Sequence, residues 1–497
     1  MDVADERAPL LSTSDRPSSS KTVSATSEDG DGAKSPSSAE PPSHRASNSI
    51  DEEKDFPYWQ ILTLCYASVV EPVAFFIIFP YINEMVERVG HQLPQNVGFW
   101  TGTIESLFSL VQMLLIIVYG RIADRLGRKP VLVFSLAGIA VASALFGLSS
   151  TLWQMIVFRC LAGLFAGSSV TIRAMLSENS TKATQAKSFG WFMFARNLGI
   201  FFGPALGGAL ANPASQYSIF QDVRFFEKYP YALPGFVSGA FCLSTAIVSY
   251  FCLDETLPSR SSAAGPPPPE TTTRELLKAP GIAIVIYIYS HVMLQALAYT
   301  AVNPVAQYTP IHLGGLGFSP KLISLALALA GASQALWMLL AFRYLQRRTS
   351  TGTVLRGCCI AWPFMMACYP ILNELRRADL QAAFWTLGAV CTFFGSGVAM
   401  SFACVQLCLN DVAPSPGTLA TLNAVALTVN SGLRAVAPVG MTSLYALGIK
   451  GGWLHGQLGW IILIAMAVML NVSVRWLPER AEGDLHHKIK VVGDEER

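Results

Sequence analysis

From residue 58 onward, twelve apolar stretches alternate with shorter polar breaks. They run over 58–82, 97–119, 130–149, 152–176, 187–210, 231–252, 281–307, 321–342, 352–373, 380–410, 418–447 and 457–477. A helix of roughly 20 residues crosses a ~30 Å hydrocarbon core, and each stretch reaches about that length. The pattern predicts an all-α integral membrane protein of about twelve transmembrane helices in two six-helix halves. The widest break, 253–280, carries Pro266-Pro267-Pro268-Pro269 and many Ser and Thr residues, and reads as an extended linker. The expected organisation is a tail at 1–56, a first half at 57–252, the linker, a second half at 281–478 and a tail at 479–497.

Composition agrees with a chain immersed in lipid. Of 497 residues, 52% are hydrophobic and 14% charged, and mean hydropathy is +0.41. Soluble domains carry about 25% charged residues. A net charge of +2 gives no case for a nucleic-acid partner. Cysteines such as Cys65, Cys160, Cys242 and Cys391 fall inside apolar runs, where they read as small packing residues, not as a disulfide framework. The first apolar run begins too late for a signal peptide. Residues 1–56 are rich in Ser, Pro, Asp and Glu and poor in aromatics, so a disordered cytosolic tail is expected. Within it, Glu6, Leu10 and Leu11 resemble an acidic dileucine sorting signal for the vacuole or lysosome; such a short pattern also arises by chance.

Charge sets the expected orientation. Arg121, Arg125, Arg128 and Lys129 separate runs 2 and 3, and Arg343, Arg347 and Arg348 separate runs 8 and 9. The positive-inside rule then places both termini in the cytosol, with Arg376 and Arg377 as a local exception. The sequons at Asn179 and Asn471 fall where glycosylation is not expected.

The stretch Gly120-Arg121-Ile122-Ala123-Asp124-Arg125-Leu126-Gly127-Arg128-Lys129 reads as a tight charged turn. Gly120 and Gly127 permit the turn, and Asp124 can accept bonds from the helix end that follows. These residues resemble the loop between helices 2 and 3 of the major facilitator superfamily. A second motif, Gly199-Ile200-Phe201-Phe202-Gly203-Pro204-Ala205-Leu206-Gly207-Gly208, is similar to the helix 5 signature of its proton-coupled antiporters. Glu71-Pro72, Phe79-Pro80-Tyr81, Glu105-Ser106 and Arg173-x-Met175-x-x-Glu178 resemble the zinc-induced-facilitator-like branch of the drug:proton antiporters. The resemblance implies alternating access, a hinge at Gly199, Gly203, Pro204, Gly207 and Gly208, and a gating loop at 120–129. It implies a small organic substrate and protons as partners, and a chain functional as a monomer.

Charges inside the bilayer are the sharpest chemical signals, since each costs about 2.5–3.5 kcal/mol at a helix centre on insertion scales. Glu71, Glu105, Arg159, Arg196 and Arg434 all lie within apolar runs. A low-dielectric cavity raises a carboxylate's proton affinity and a nearby arginine lowers it, so Glu71 can load and release a proton. The alternative is a fixed Glu–Arg pair that sets helix packing, and for Glu105 that reading comes first. Arg159 resembles the superfamily's span 4 arginine, although the usual Gln before Gly163 is missing, and it is the third proton-coupling candidate. In run 7, His291, Gln295, Tyr299 and Asn303 share a helix face; in run 11, Asn423, Asn430 and Arg434 do the same. With Arg196 they form a candidate substrate cavity, the other reading being polar contacts between helices. His291 either titrates near neutral pH or sits as a hydrogen-bonded neutral imidazole. Cys358-Cys359 and His486-His487 lack complementary ligands at metal-site spacing, and there is no Walker loop. The expectation is therefore a transporter and not an enzyme, with no metal and no cofactor. The runner-up functions are a uniporter or symporter of the same fold, then a non-transporting receptor.

Overall fold

The computed structural model describes residues 57–180, 184–257, 279–413 and 416–482. The Glu6/Leu10/Leu11 signal, the proline run and His486-His487 lie outside the described residues. Twelve long helices follow in order: α1 (Tyr58–Phe76), α2 (Pro94–Leu126), α3 (Arg128–Gly147), α4 (Leu152–Glu178), α5 (Gln185–Leu210), α6 (Ala232–Cys252), α7 (Ile282–Tyr308), α8 (Pro320–Gln346), α9 (Thr351–Arg377), α10 (Gln381–Asp411), α11 (Pro416–Gly451) and α12 (Leu458–Trp476). Ten of them are long and apolar enough to span a bilayer; α5 and α11, with 26 and 36 residues, complete the set. No strand occurs among the described residues. This is the only regular architecture, besides a closed barrel, that satisfies every backbone group inside lipid.

The buried apolar residues divide with the chain. Three core clusters draw their buried members from helices α1–α6 and the segments joining them, the other two from α7–α12 and theirs. Hydrogen bonds crossing between these groups fall at one end of the bundle among the described residues. Val439 N–H donates to Ser106 Oγ (3.0 Å), Ser324 Oγ to the Pro204 carbonyl (2.7 Å), and Tyr308 OH to Glu87 Oε2 (2.6 Å). Gly98 and Gly102 bring α2 against α11 at that end, where a Cβ on Gly102 would lie 1.9 Å from Thr442 Oγ1. Small residues four apart allow this approach.

Several expectations change in detail. Gly120 is not a turn residue: α2 continues to Leu126, and Gly127 alone forms the junction, with φ +109°. The first N–H groups of α3 are not capped by Asp124. Glu255, just past α6, accepts from Arg128 N (2.8 Å) and Lys129 N (3.1 Å). Cys391 is not a simple packing residue, since it forms a disulfide with Cys368 of α9. Helix α4 is interrupted: it breaks at Ala166-Gly167 into the segments Leu152–Phe165 and Ser168–Glu178. The segment Glu479–Ala481 forms a helical turn packed on α10, and Glu482 after it pairs with Arg356 of α9. Arg377, the exception to the charge rule, donates to the backbone oxygens of Ile311, His312 and His455, binding two loops together.

Candidate transport site

Glu71 lies in α1 directly before Pro72 and is only 5% exposed. Gln112 of α2 donates to its Oε1 at 2.7 Å, and Arg196 of α5 stands 3.6 Å from Oε2. The same Gln112 amide donates to the Ala166 carbonyl at 3.0 Å. The break in α4 frees that carbonyl, so a backbone irregularity and a buried carboxylate share one donor. Arg173 of α4 and Arg434 of α11 also act electrostatically on Glu71. Arg434 lies over the Phe75 ring at 5.1 Å, and Arg173 and Arg196 both lie against Phe192. One carboxylate is thus paired with one guanidinium, from α5, and acted on electrostatically by two more, from α4 and α11.

Glu105 and Arg159 form a second, separate group. Both are almost wholly buried. Arg159 is held over the Phe75 and Phe108 rings, at 5.2 and 4.5 Å, and donates to the Phe75 carbonyl at 3.4 Å. Its charge interacts with Glu105 and Tyr81. Glu71 and Arg159 therefore do not share a pair, and Phe75 stands between the two groups, touching arginines of both.

The glycine motif of α5 serves two partners. Gly199, Gly203 and Gly207 face α1: a Cβ on Gly207 would sit 1.9 Å from the Ile77 carbonyl oxygen. Gly208 instead faces Ser324 across the two halves, next to the bond from Ser324 to Pro204. At the charged junction, Arg128 pairs with Asp124 (2.7 Å) and Glu178 (3.2 Å), while Lys129 lies over Tyr250 and Arg125 is exposed. This group joins α2, α3, α4 and the end of α6.

The polar face of α7 splits. His291 bonds the Met466 carbonyl of α12 (3.0 Å), and Gln295 donates to the Leu463 carbonyl (3.1 Å). Tyr299 and Asn303 turn to α9, where Tyr369 OH donates to Asn303 Oδ1 (2.6 Å) and contacts Tyr299 OH (2.9 Å). On α11, Asn423 accepts from Gln406 of α10, Asn430 is half-buried, and Arg434 reaches the Glu71 group. Gln112 and Arg173 belong to the site in addition to the candidates named from the sequence. Arg173 was visible as a cation inside run 4. Gln112, uncharged, carried no such signal.

Among the described residues, twelve long helices in two groups, with charges buried inside the membrane-spanning segments, fit a transmembrane carrier. The chain matches the Major Facilitator Superfamily over residues 64–438, and it belongs to that family. It is 41% identical over 481 residues to the efflux pump azaK of Aspergillus niger, covering 97% of this chain and 96% of that one. It is 24% identical to the protein ZINC INDUCED FACILITATOR-LIKE 1 of Arabidopsis thaliana, over 86% of this chain and 93% of that protein. The crystal structure of a D-xylose-proton symporter superposes with a TM-score of 0.65 at 14% identity, covering 86% and 99% of the two chains. The protein is a transmembrane transporter of small molecules and not an enzyme.

Proposed function

We propose that the chain exports a small organic molecule from the cytosol, or loads it into the vacuole, by exchange for protons. The observation that carries the reading is Glu71, buried on α1 within reach of Arg196 and Gln112 and facing an arginine from the other half. A carboxylate so placed is stable when protonated or when paired with a cation, and is costly otherwise. Rocking of the halves changes the distance between α1 and α11, and so changes which condition holds. The efflux activity named for the Aspergillus relative supports the direction. With both termini cytosolic, the end that carries the cross-half bonds faces away from the cytosol. Glu105 and Arg159, which act on each other by charge without a direct ion pair, serve in this reading as structural groups beside the coupling group. The carrier works as a monomer.

The test is flux in proteoliposomes of the full chain. A pH gradient should drive accumulation of a transported dye, and dissipating the gradient should abolish it. Accumulation that ignores the gradient would refute the coupling. For the membrane of residence, imaging a tagged Leu10→Ala/Leu11→Ala variant should show loss from the vacuolar membrane; an unchanged distribution would remove the sorting role of the tail.

A further inference from the structure

A cavity of about 380 Å³ lies among α7, α8, α9 and α10, apart from the Glu71 group. Its walls are mostly apolar. Phe318 and Trp385 lie parallel there, with ring centroids 6.1 Å apart and planes 8° apart, and Phe384 meets Phe318 edge-on. One side is polar: Tyr369 OH and Gln307 Nε2 both donate to Asn303 Oδ1, at 2.6 and 2.9 Å. Gln307 is 5% exposed, and its Oε1 is buried without a donor. An unpaired acceptor of this kind costs about 1–3 kcal/mol unless something completes it. The helices around the cavity are also irregular. In α8 the turns Trp337–Phe342 are π-helical, and in α10 Ser396–Ala399 is a 3-10 turn. Ser333 Oγ and Trp337 Nε1 both donate to the Phe393 carbonyl, at 2.9 and 2.8 Å, tying α8 to α10 next to these segments. Such π segments recur at functional sites.

We propose that this cavity is a binding site for a flat, largely apolar aromatic molecule carrying one hydroxyl or N–H donor. The rings of Phe318, Phe384 and Trp385 receive its faces and edges. Its donor meets Gln307 Oε1, completing the network through Asn303 to Tyr369 and Tyr299. The volume suits a molecule of drug-like size, and the combination of apolar walls with few convergent polar groups is what such sites require. The proposal concerns occupancy and is measured with no gradient imposed, so its failure and the failure of proton coupling are separate results.

Umbelliferone and its methyl ether are matched probes: the same ring with and without the donor. Each is titrated against the purified full chain in detergent, acid enough to keep the phenol un-ionised, by equilibrium dialysis and by quenching of tryptophan emission. Umbelliferone should bind about tenfold more tightly than the ether. Gln307→Leu should erase that preference. Trp385→Phe should keep binding and lose most of the quenching. Gly388→Phe fills the cavity without a backbone clash, since a Cβ there meets only Leu372 Cδ2 at 3.9 Å; it and Ala326→Phe should each abolish saturable binding. Glu71→Gln should bind as the parent does. Elution as a monodisperse peak certifies each variant, and two cavity-filling positions guard against one misfolding. Equal affinity for the two probes in the parent, or parental binding when the cavity is filled, would overturn the proposal; the first outcome would mark a crevice for any apolar molecule, lipid included.

Discussion

The two halves hold their polar groups differently. Helices α1–α6 supply Glu71, Glu105, Arg159, Arg173 and Arg196, all inside membrane-spanning segments, whereas α11 of the second half contributes Arg434. The second half instead builds an uncharged network of Tyr299, Asn303, Gln307 and Tyr369 beside an apolar cavity. Packing follows the same division. In the first half α2 and α4 meet tightly: a Cβ on Gly163 would sit 2.6 Å from the Phe108 carbonyl oxygen. In the second half the corresponding helices α8 and α10 line the cavity. Charged groups need a firm frame, because unpaired they are costly, while neutral amides and hydroxyls tolerate an open space. Under the two proposals above, proton handling falls to the first half and recognition of a neutral, aromatic molecule to the second.

The largest effect that would break this contrast is on Glu71. Glu71→Gln preserves shape and the contact with Gln112 but cannot ionise. Gradient-driven accumulation in proteoliposomes should fall to the passive level, while exchange of substrate down its own gradient persists. If Glu71→Gln still concentrates substrate when a pH gradient is imposed, the coupling group is elsewhere and Glu105 is the next candidate.

Arg196 and Arg434 then measure how much the second half contributes. Arg196 is paired directly with Glu71 at 3.6 Å, and Arg434 acts on it without a hydrogen bond in between. Arg196→Gln should therefore impair accumulation nearly as much as Glu71→Gln. Arg434→Gln should reduce it about fivefold, a difference of roughly 1 kcal/mol. The reverse ranking, measured by initial rates under one pH gradient, would move the centre of coupling across the interface.

Much of this was legible in the chain. Twelve apolar runs correspond to twelve long helices among the described residues, because backbone satisfaction in lipid leaves little choice of structure. Glu71 stood out because a charge in a span is rarely idle. Its surroundings were harder to read. Gln112 has no charge to mark it, and its role depends on a carbonyl released by the break at Ala166, which apolar periodicity does not register. Gly120 looked like a turn residue by type, yet the helix passes through it; only Gly127 has the backbone that needs glycine. The face shared by His291, Gln295, Tyr299 and Asn303 was visible from spacing, but not its division between α12 and α9, which depends on where neighbouring helices cross. The cavity left no trace in sequence, since aromatic residues in a span read the same whether packed or lining a space.

The charged junction gives a smaller effect. Gly127→Ala must hold φ near +109°, and its Cβ would fall 2.5 Å from Glu255 Oε2. Strain and the disturbed cap of α3 should together lower stability by about 1–3 kcal/mol, read as a drop in thermal midpoint. At Gly120 a Cβ meets nothing within 4 Å, so Gly120→Ala should be neutral or stabilise by up to about 1 kcal/mol. Asp124→Asn weakens an exposed pair with Arg128 and should slow every substrate by the same few-fold factor; a change confined to one substrate would place the junction in recognition instead.

The smallest effect is expected at Gln295. It stands at the same step from the start of α7 as Glu71 does from the start of α1, so it is the position at which a second coupling group would be sought. Its side chain is fully buried, its Nε2 donates to the Leu463 carbonyl of α12, and its Oε1 has no donor. Gln295→Leu removes one hydrogen bond and one unsatisfied acceptor together. Leu463 lies within a continuous helix, so its carbonyl keeps its own intrahelical donor. Those changes oppose each other, and the net cost should stay within about 1 kcal/mol. Transport per folded molecule and its dependence on imposed pH should match the parent. Thermal unfolding separates the outcomes: a modest shift in midpoint with unchanged accumulation keeps Gln295 as a contact between helices. Loss of accumulation at an unchanged midpoint would mean that the second half carries coupling machinery of its own, and the division between the halves would fail.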